Sequence, residues 1–451
     1  MIKKLTYLSC LLLILIPYAV FAMEYSLDEL FSLALERSEI IKIAEEDLYI
    51  SELEKDKALA ALLPTLSAFG THTRYTEEKQ KVGFTIQPET SNTWGVRMDQ
   101  SFSLSGKELT GYKITREAIV KNIFDLNAVK EEYLLTVASA YYDVLKSKKA
   151  LEIASTNVER LTKHRDAASI RLKVGEVTKT VLLRAEAELA GAQSDLIKAA
   201  NNIRLAKTSL ARIVGISEVF DVKESQPGNN SEMPGQEQII FDFLIQDCQL
   251  LTLDCLKEIA LTKRAEIKAL TIQKKITEKK VKYAKGSYWP TLSVEGVYSK
   301  KEDNPASSFE INERIYGGLR FDFPFFEGGL RRAEVREAKA KLRQAQYSLL
   351  DLKNSVAVEV ENSYLNLITE SGILTKLQAE VEYAIDNFNA VSKQFEHGLA
   401  NSVDIMDANT LLVTAERELA NARYNYQLVI LNLKRSIGTL LKTVISQQLS
   451  E

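Results

Sequence analysis

Apolar residues recur every seven positions along the middle of each half of this chain. In the second half they form two series: Leu367, Leu374, Val381, Phe388 and Phe395, then Leu377, Ala384 and Val391. The first half has a matching series at Val144, Leu151, Val158 and Leu172, interrupted by Arg165. Two series at this spacing occupy the a and d positions of a coiled coil. The pattern therefore predicts long helices that pack side by side.

Proline and glycine positions set the lengths of these helices. No proline occurs between residues 88 and 227 or after residue 324, and proline breaks helix interiors. We predict one helix of about 65–68 residues in each half, ending at Gly175 and at Gly398, because glycine commonly follows the last helical turn. A further helix of about 37 residues then ends at Gly215 or at Gly438.

The segments before the long helices alternate between apolar and polar residues, which is the pattern of a strand with two different faces. In the second half, Ile315, Leu319, Phe321 and Phe323 alternate with Arg314, Tyr316, Arg320 and Asp322; in the first, Trp94, Val96 and Met98 alternate with Gly95, Arg97 and Asp99. We predict two strands per half, about 291–299 and 314–323 in the second. A helix precedes each strand pair, at about 26–62 and 252–287.

The two halves are copies of one unit. Shifted by 223 positions, Gly95, Arg97, Asp99 and Phe102 fall on Gly318, Arg320, Asp322 and Phe325, and the same register continues to Gly215 and Gly438. A shift of 226 positions places PTLS at 64–67 on PTLS at 290–293. We therefore divide the chain into a first repeat at 23–215, a polar linker at 216–238, a second repeat at 239–438 and a short C-terminal tail at 439–451.

Residues 1–22 predict a secretory signal peptide. Lys3 and Lys4 precede an apolar stretch, and Val20 and Ala22 are small residues at the positions that a signal peptidase requires. The alternative is an uncleaved anchor. Of the cysteines that remain after cleavage, Cys248 and Cys255 would lie roughly 10 Å apart on one helix. That distance is too long for a disulfide, so we expect two buried thiols unless this segment bends.

Composition excludes several classes of function. The net charge of −3 excludes a strongly basic nucleic-acid binder. The three histidines, at 72, 164 and 397, lack the spacing of metal ligands. We find no phosphate-binding loop and no nucleophile triad. The sequence thus predicts no enzyme, no cofactor and no metal.

The lengths of the elements require several copies of the chain. A helix of about 66 residues is roughly 100 Å long, and a single chain built on it is too thin to bury a core. Four strands with an apolar face and open edges are an aggregation hazard, and an outer membrane admits strands only as a closed barrel. Three chains supply twelve strands. The apolar faces would then meet lipid, and Arg97, Asp99, Arg320 and Asp322 would face a wet lumen.

Several motifs resemble the TolC-like outer-membrane efflux proteins, or outer membrane factors. They are LPTLS at 63–67 and WPTLS at 289–293, QFEHG at 394–398, VDIMDA at 403–408, and ELANARYNY at 418–426. The resemblance covers nearly the whole chain after residue 22. It implies an α+β fold of two tandem repeats, assembled as a homotrimer. A twelve-strand transmembrane β-barrel would lie in the outer membrane, above a twelve-helix α-barrel in the periplasm.

The resemblance also implies the function. Such a channel is the exit duct of a tripartite efflux system or a type I secretion system. Its partners would be a periplasmic adaptor (membrane fusion protein), an inner-membrane efflux pump or ABC exporter, and outer-membrane lipid. The cargo is left open.

The same resemblance places the gate at the periplasmic helical tip, near Gly175 and Gly398. Asp404 and Asp407 match positions that line the closed aperture, and a spacing of three puts them on one helix face. Threefold symmetry would bring six carboxylates to the opening, which favours cations. The alternative is that both aspartates only stabilise a helix N-terminus through its dipole.

The side-chain links that close such a gate depart from the family pattern here. Phe395 stands where the family has an aromatic hydroxyl, Ala400 where it often has a basic residue, and Val181 where it has an acid. Lys179 and Arg184 are candidate replacements. We therefore consider an Arg184–Asp407 or a Lys179–Asp404 link between hairpins, against the alternative that these are solvated charges at the tip.

One other class of protein fits part of the pattern. A periplasmic coiled-coil adaptor or scaffold of an export system would also carry long helical hairpins. An adaptor usually has a single hairpin flanked by separate β domains, however, so the four alternating strands and the internal duplication favour the channel. A secreted hydrolase would need a catalytic site that the sequence does not show.

Overall fold

A computed structural model of the chain describes residues 23–217, 219–224, 252–306 and 311–448. The predicted signal peptide and most of the predicted linker, 216–238, lie outside these ranges. The chain divides into two compact units. The first contains the residues up to 39, 130–260 and 358–451, and the second contains 40–129 and 261–357.

Both halves of the chain contain the same succession of a broken helix, two long strands, a very long helix and a shorter helix. The elements of the first half are β1 (Met23–Tyr25), α1 (Leu27–Arg37), α2 (Glu39–Ala60), β2 (Thr65–Arg74), β3 (Lys79–Lys81), β4 (Phe84–Gln87), β5 (Thr90–Ser103), α3 (Lys107–Lys173) and α4 (Lys179–Val214). Those of the second half are β6 (Phe220–Val222), α5 (Leu253–Lys263), α6 (Ala265–Gly286), β7 (Thr291–Asn304), β8 (Glu313–Asp322), α7 (Leu330–Glu396), α8 (Ser402–Ser436) and α9 (Leu440–Gln448).

The long helices α3 and α7 have 67 residues each, which confirms their predicted length. They end at Gly175 and Gly398, whose φ angles are 80° and 73°. After each glycine a backbone N–H bonds back into the last turn, from Glu176 to Arg171 at 2.9 Å and from Leu399 to Gln394 at 2.8 Å. Glycine adopts this left-handed conformation without a steric penalty. Among the helices in the described ranges, none is apolar enough over a sufficient length to cross a membrane.

The prediction of one continuous helix before each strand pair is wrong. Ser38 separates α1 from α2, and Arg264 separates α5 from α6. Their ψ angles of 125° and 130° take the backbone out of the helical region. Both residues are buried, and they lie 226 positions apart, which is the spacing of the repeat. The break is thus a feature of the duplicated unit, although neither proline nor glycine marks it.

Four strands form one antiparallel sheet in the order β2-β5-β7-β8. The central strands β5 and β7 have 14 residues each, and the edge strands have 10. Strand β7 continues to Asn304, beyond the predicted end at 299, because its last residues pair with the start of β5. The short hairpin β3–β4 and the pairing of β1 with β6 were not predicted.

The two faces of this sheet differ as the alternation predicts. On one face Ile315, Leu319 and Phe321 of β8 are 79%, 76% and 61% exposed in the single chain. On the other face the hydroxyl groups of Ser101 and Ser293 are 2.8 Å apart. Strands that leave large apolar side chains open to solvent on a whole face require another apolar environment.

The first unit combines helices with the parallel pair β1–β6. The phenol of Tyr141, which is 1% exposed, donates to the backbone carbonyl of Lys223 at 2.6 Å. The Lys207 ammonium forms an ion pair with the Asp221 carboxylate of β6, with Nζ and Oδ1 3.1 Å apart. Partial burial opposes ionisation of this carboxyl, but hydrogen bonds from the Val222 N–H and from Lys207 outweigh it and hold its pKa below the usual value. Arg435 of α8 contacts Glu132 of α3 at 2.8 Å.

The expectation of a buried free thiol at Cys255 is wrong. Cys255 is disulfide-bonded and half-buried. Helix α5 begins only at Leu253, where the Thr252 hydroxyl accepts the Cys255 N–H at 3.4 Å. The premise of the prediction was one continuous helix through this segment, and that premise fails at Thr252, which lies outside the helix. The other cysteine lies outside the described residues.

We predict that Gly95 is required for the close approach of β5 and β7. A methyl group at Gly95 would overlap the Tyr298 carbonyl oxygen and lie 2.9 Å from the Phe69 ring. Relief of such overlap costs about 1–3 kcal/mol, so Gly95→Ala should lower the thermal unfolding temperature of the purified protein. Gly70→Ala is the matched control, since nothing lies within 4 Å of its added carbon. An equal loss in both variants would contradict the prediction.

Candidate functional site

The two turns that follow the long helices carry most of the candidate residues. In the second half, α8 begins with a reciprocal cap. The Asn401 side chain accepts the Asp404 N–H at 3.1 Å, and the Asp404 carboxylate accepts the Asn401 N–H at 2.9 Å. Each partner satisfies a backbone N–H that the first turn of a helix leaves free. One of the two candidate aperture aspartates is therefore also a structural cap.

Asp407 lies almost one turn further along α8 and makes no part of this cap. Asp404 and Asp407 are both exposed, whereas Ile405 and Met406 between them are buried. Both carboxylates thus project from one exposed face near a helix N-terminus, where the helix dipole favours negative charge. The face that carries them is open to solvent in the single chain.

The corresponding turn in the first half carries Lys179 and Arg184. Lys179 is the first residue of α4, and Arg184 lies in its second turn. Both side chains are exposed. Within the part of the chain that the structure describes, no ion pair joins either of them to Asp404 or Asp407. The structure therefore does not bring these four charges together in one chain.

Phe395, the third candidate for a gate link, is buried. Its ring is 5% exposed and lies 4.9 Å from the His164 ring, measured between centroids. The Arg171 guanidinium lies 4.7 Å from the same ring. Phe395 of α7 therefore packs against α3 of its own chain. Its ring has little exposed surface left to contact another chain.

Arg171 is the functional candidate that sequence reasoning missed. Its guanidinium donates to the carbonyl oxygens of Phe395 and Glu396, each at 2.8 Å. These carbonyls belong to the last turn of α7, where the usual partners in the next turn are missing, although the Phe395 carbonyl also accepts the Gly398 N–H at 3.1 Å. One side chain of α3 thus caps α7 and stacks on its final aromatic ring. The only sequence signal was a basic residue in the last turn of α3.

A groove of about 330 Å³ lies beside this contact, lined by Arg160, His164, Arg171, Phe388, Phe395 and Asn409 among others. His164 is 8% exposed, and its Nε2 has no hydrogen-bond partner among the described residues. Burial, and then the positive charge of Arg171, lower the pKa of His164 below its usual value. A neutral imidazole therefore packs against Phe395 near neutral pH. Arg160 at the other end pairs with Glu416 at 2.9 Å.

The four predicted lumen residues share the polar face of the sheet. Arg97 and Asp99 lie on β5, and Arg320 and Asp322 lie on β8. Glu295 of β7 lies directly opposite Asp99, and its carboxylate is 3.5 Å from the Arg97 guanidinium. The Glu295 position was not predicted. This face thus carries charges of both signs on three of its four strands.

These sites carry exposed side chains of both charges. Among the described residues, no group of three histidine, cysteine or acidic side chains is placed to hold a metal ion. The exposed carboxylates of α8 and the charged face of the sheet can act on nearby charged groups through electrostatic attraction and repulsion.

The fold and these sites define a class of proteins. A sheet with one polar and one apolar face is joined to helical hairpins built on 67-residue helices, and the whole is duplicated along the chain. The chain belongs to the outer membrane efflux protein family, whose profile matches residues 30–216 and 256–439. This membership confirms the predicted resemblance and the predicted outer-membrane location.

Individual relatives agree with this assignment. The chain is 25% identical over 336 residues to outer membrane protein TolC of Escherichia coli, a match that covers 69% of this chain and 62% of TolC. It is 22% identical over 315 residues to the alkaline protease secretion protein AprF of Pseudomonas aeruginosa, again covering 69% of this chain and 62% of the relative. The alignments thus span less than two thirds of these proteins.

A solved structure shows the same fold. The structure of CusC superposes with a TM-score of 0.78 at 15% sequence identity, and the match covers 93% of each chain. At that identity the likeness concerns the fold alone. Because the match covers 93% of this chain, the likeness includes both the helices and the sheet.

We predict that Arg171 stabilises the end of α7. A hydrogen bond from a charged group contributes about 1.5–3 kcal/mol to stability, and Arg171 makes two of them. Loss of both in Arg171→Ala should speed amide hydrogen exchange in residues 393–400 by at least about tenfold. Lys173→Ala is the control, because Lys173 is an exposed basic residue of the same turn. Unchanged exchange at 393–400 in the Arg171 variant would contradict the role assigned to this contact.

Proposed function

We propose that three copies of this chain form an outer-membrane channel that serves as the exit duct of a tripartite efflux or type I secretion system. The observation that carries the proposal is the sheet, which has an exposed apolar face and a charged opposite face. Closing three such sheets gives twelve strands, removes every edge and turns the apolar faces to lipid. The charged face, with Arg97, Asp99, Arg320 and Asp322, then lines the lumen.

The helices extend this duct into the periplasm. Helices α3 and α7, at 67 residues, are each about 100 Å long. The partners of the channel in this proposal are a periplasmic adaptor, an inner-membrane efflux pump or ABC exporter, and the outer-membrane lipid that surrounds the sheet. The name of AprF refers to protease secretion, which supports export of protein as one candidate for the cargo class.

The alternative of a periplasmic adaptor is disfavoured by two observations. The family profile matches both halves of the chain, and the four strands form one sheet rather than separate β domains.

We retain as part of the proposal the division into a signal peptide (1–22), two repeats (23–215 and 239–438), a linker (216–238) and a tail (439–451).

Gating in this proposal occurs at the turns beside Gly175 and Gly398. Asp404 and Asp407 of three chains form the aperture, and their carboxylates select for cations. The Arg171 contact holds α3 and α7 of one chain together behind the aperture. Among the described residues, neither Lys179 nor Arg184 pairs with these aspartates within one chain. In the proposal such links would therefore form between chains and join neighbouring hairpins.

The test of the channel is conductance. The full-length protein should purify from the outer membrane as a heat-modifiable trimer and conduct ions in planar bilayers with a preference for cations. Asp407→Asn should reduce that preference, measured as the reversal potential across a KCl gradient. Asp407 is the sharper choice than Asp404, whose loss would also remove a helix cap worth about 0.5–2 kcal/mol.

Asp386→Asn is the control, since Asp386 is an exposed carboxylate of α7 away from the turn. Retention of full cation preference in the Asp407 variant would contradict the aperture role. A soluble monomer without conductance would contradict the channel itself.

A separate prediction concerns the proposed link from Arg184. Arg184→Glu places a carboxylate opposite Asp407 and should raise the conductance of reconstituted channels several-fold, because repulsion opens the aperture. The exchange of both charges, in Arg184→Glu with Asp407→Arg, should restore the low conductance. If Arg184→Glu leaves the conductance unchanged, the link does not exist and these are solvated charges.

A further inference from the structure

Large aromatic side chains are exposed where strands β7 and β8 join their helices. Five of them are at least 50% exposed: Trp289, Phe321, Phe323, Phe325 and Phe326. Thr291 of β7 lies directly opposite Asp322 of β8, so Trp289 just before β7 and Phe323 just after β8 lie at the same end of the sheet. The apolar face of β8 therefore continues past its last residue as a group of exposed rings.

Exposed cations flank these rings on α6 and α7. Four of them form no ion pair among the described residues: Lys282, Lys285, Arg332 and Arg336. Two of the nearby acids are already paired, Glu278 with Lys274 at 3.9 Å and Glu327 with Arg331 at 2.6 Å. Helix α6 has seven lysines against two glutamates, and residues 330–357 of α7 have seven basic side chains against three acids. The positive charge here exceeds what these two segments neutralise themselves.

The first repeat lacks this combination, although it builds the same elements. The equivalents of Lys282, Lys285, Arg332 and Phe326 are Asp56, Leu59, Leu109 and Ser103, at the shifts of 226 and 223 positions that relate the repeats. Helices α2 and α6 have 22 residues each, and α3 and α7 have 67 each. A feature that the fold required would occur in both repeats, so these cations and the ring of Phe326 need another explanation.

The stability of α7 does not explain the charges either. Arg331 and Arg332 lie in its first turn, which contains no acid. The N-terminus is the positive end of the helix dipole, where carboxylates are favourable and cations unfavourable. Glu327 compensates Arg331, but Arg332 is exposed and has no such partner among the described residues. Arg332 therefore serves a purpose outside the helix.

We propose that this region binds an anionic phospholipid of the periplasmic leaflet, with the acyl chains against the rings and the phosphate against the cations. The junction patch, as we call the residues involved, consists of Lys282, Lys285, Trp289, Phe325, Phe326 and Arg332. The inference rests on the proposed function, which embeds the apolar face of the sheet in the outer membrane and extends the long helices into the periplasm. Aromatic rings favour the membrane–water interface, and basic clusters beside it attract anionic headgroups.

A phospholipid is the occupant because only a lipid matches both parts of the junction patch. Along β8 and α7 the order is Leu319 on the apolar face, then Phe325, then Arg332, which corresponds to hydrocarbon, interface and headgroup. An acidic protein segment or a free phosphate would pair with the cations but would leave the rings in water. The junction patch is also continuous with the apolar face that the proposed function places against lipid.

Fluorescence quenching by brominated lipids tests the junction patch, because it contains one of the two tryptophans of the chain. Trp94→Phe leaves Trp289 as the only reporter in the full-length protein. In vesicles with equal amounts of phosphatidylglycerol and phosphatidylcholine, bromine is carried on the acyl chains of either one lipid or the other. Brominated phosphatidylglycerol should quench Trp289 at least about threefold more than brominated phosphatidylcholine, and added salt should reduce this ratio.

Trp289→Phe provides the matched control, with Trp94 as the reporter. Trp94 lies toward the other end of β5, opposite Lys300, which pairs with Glu302 at 3.2 Å. Since that cation is neutralised within the chain, the two brominated lipids should quench Trp94 equally.

Removal of the charges separates selectivity for the headgroup from simple contact with lipid. In the Trp94→Phe background, the combination of Lys282→Gln, Lys285→Gln and Arg332→Gln should bring the quenching ratio close to one. The control removes the same number of exposed cations from the C-terminal halves of α3 and α7, with Lys173→Gln, Lys376→Gln and Lys393→Gln. The control variant should keep the ratio of the parent.

Equal quenching of Trp289 by the two lipids, or a ratio that survives loss of the three cations, would overturn the proposal. Quenching of Trp94 without quenching of Trp289 would overturn it too, because the junction patch would then lie in water and its occupant would be a protein or a free anion. If neither tryptophan is quenched, the sheet is not in the bilayer and the proposed channel fails first, so the two failures are distinguishable.

Discussion

The constraint on which this structure depends is that one chain cannot cover its own apolar surface. The sheet leaves a full face of β8 open, and α2 and α7 each leave a stripe of large side chains exposed. In a compact domain such residues would be buried against a second layer. Here they lie on one face of the sheet and on the helices attached to its edge strands. In the proposed trimer their burial would come from other copies and from lipid, and the apparent stability would then depend on the concentration of the chain.

A second constraint acts at the C-terminal ends of the long helices. The final carbonyls of a helix have no partners in the next turn and must find other donors. For α7, Arg171 donates to the carbonyls of Phe395 and Glu396, and its guanidinium lies over the Phe395 ring. The adjacent His164 stays neutral because burial and Arg171 lower its pKa. The last turn of α7 is thus held by contacts within its own chain, whereas the side chains of Asp407 and Arg184 are exposed.

Periodic features could be predicted from the sequence, and single contacts could not. The heptads and the absence of proline predicted both long helices, and the alternation of residues such as Leu319 and Arg320 predicted the two faces of the sheet. The breaks at Ser38 and Arg264 were missed because neither residue type interrupts a helix by itself. The pairing of β1 with β6 joins segments almost 200 residues apart, which local patterns do not show. Arg171 looked like any basic residue in a last turn, because its partners are backbone carbonyls that no side-chain pattern reports.

Duplication supplies the final constraint on assembly. Helices α2 and α6 occupy the same place in the two repeats, yet α2 has a net charge of −4 and α6, with seven lysines against two glutamates, has +5. Residues 330–357 of α7 are also basic, with a net charge of +4, so α2 is the acidic one among these three segments. In the proposed trimer the surfaces that meet between copies would then differ from each other, and the contact would be head-to-tail. Such contacts run on into open filaments unless a rotation closes them. The sheet would provide that closure, because only a ring of strands leaves no edge exposed to lipid.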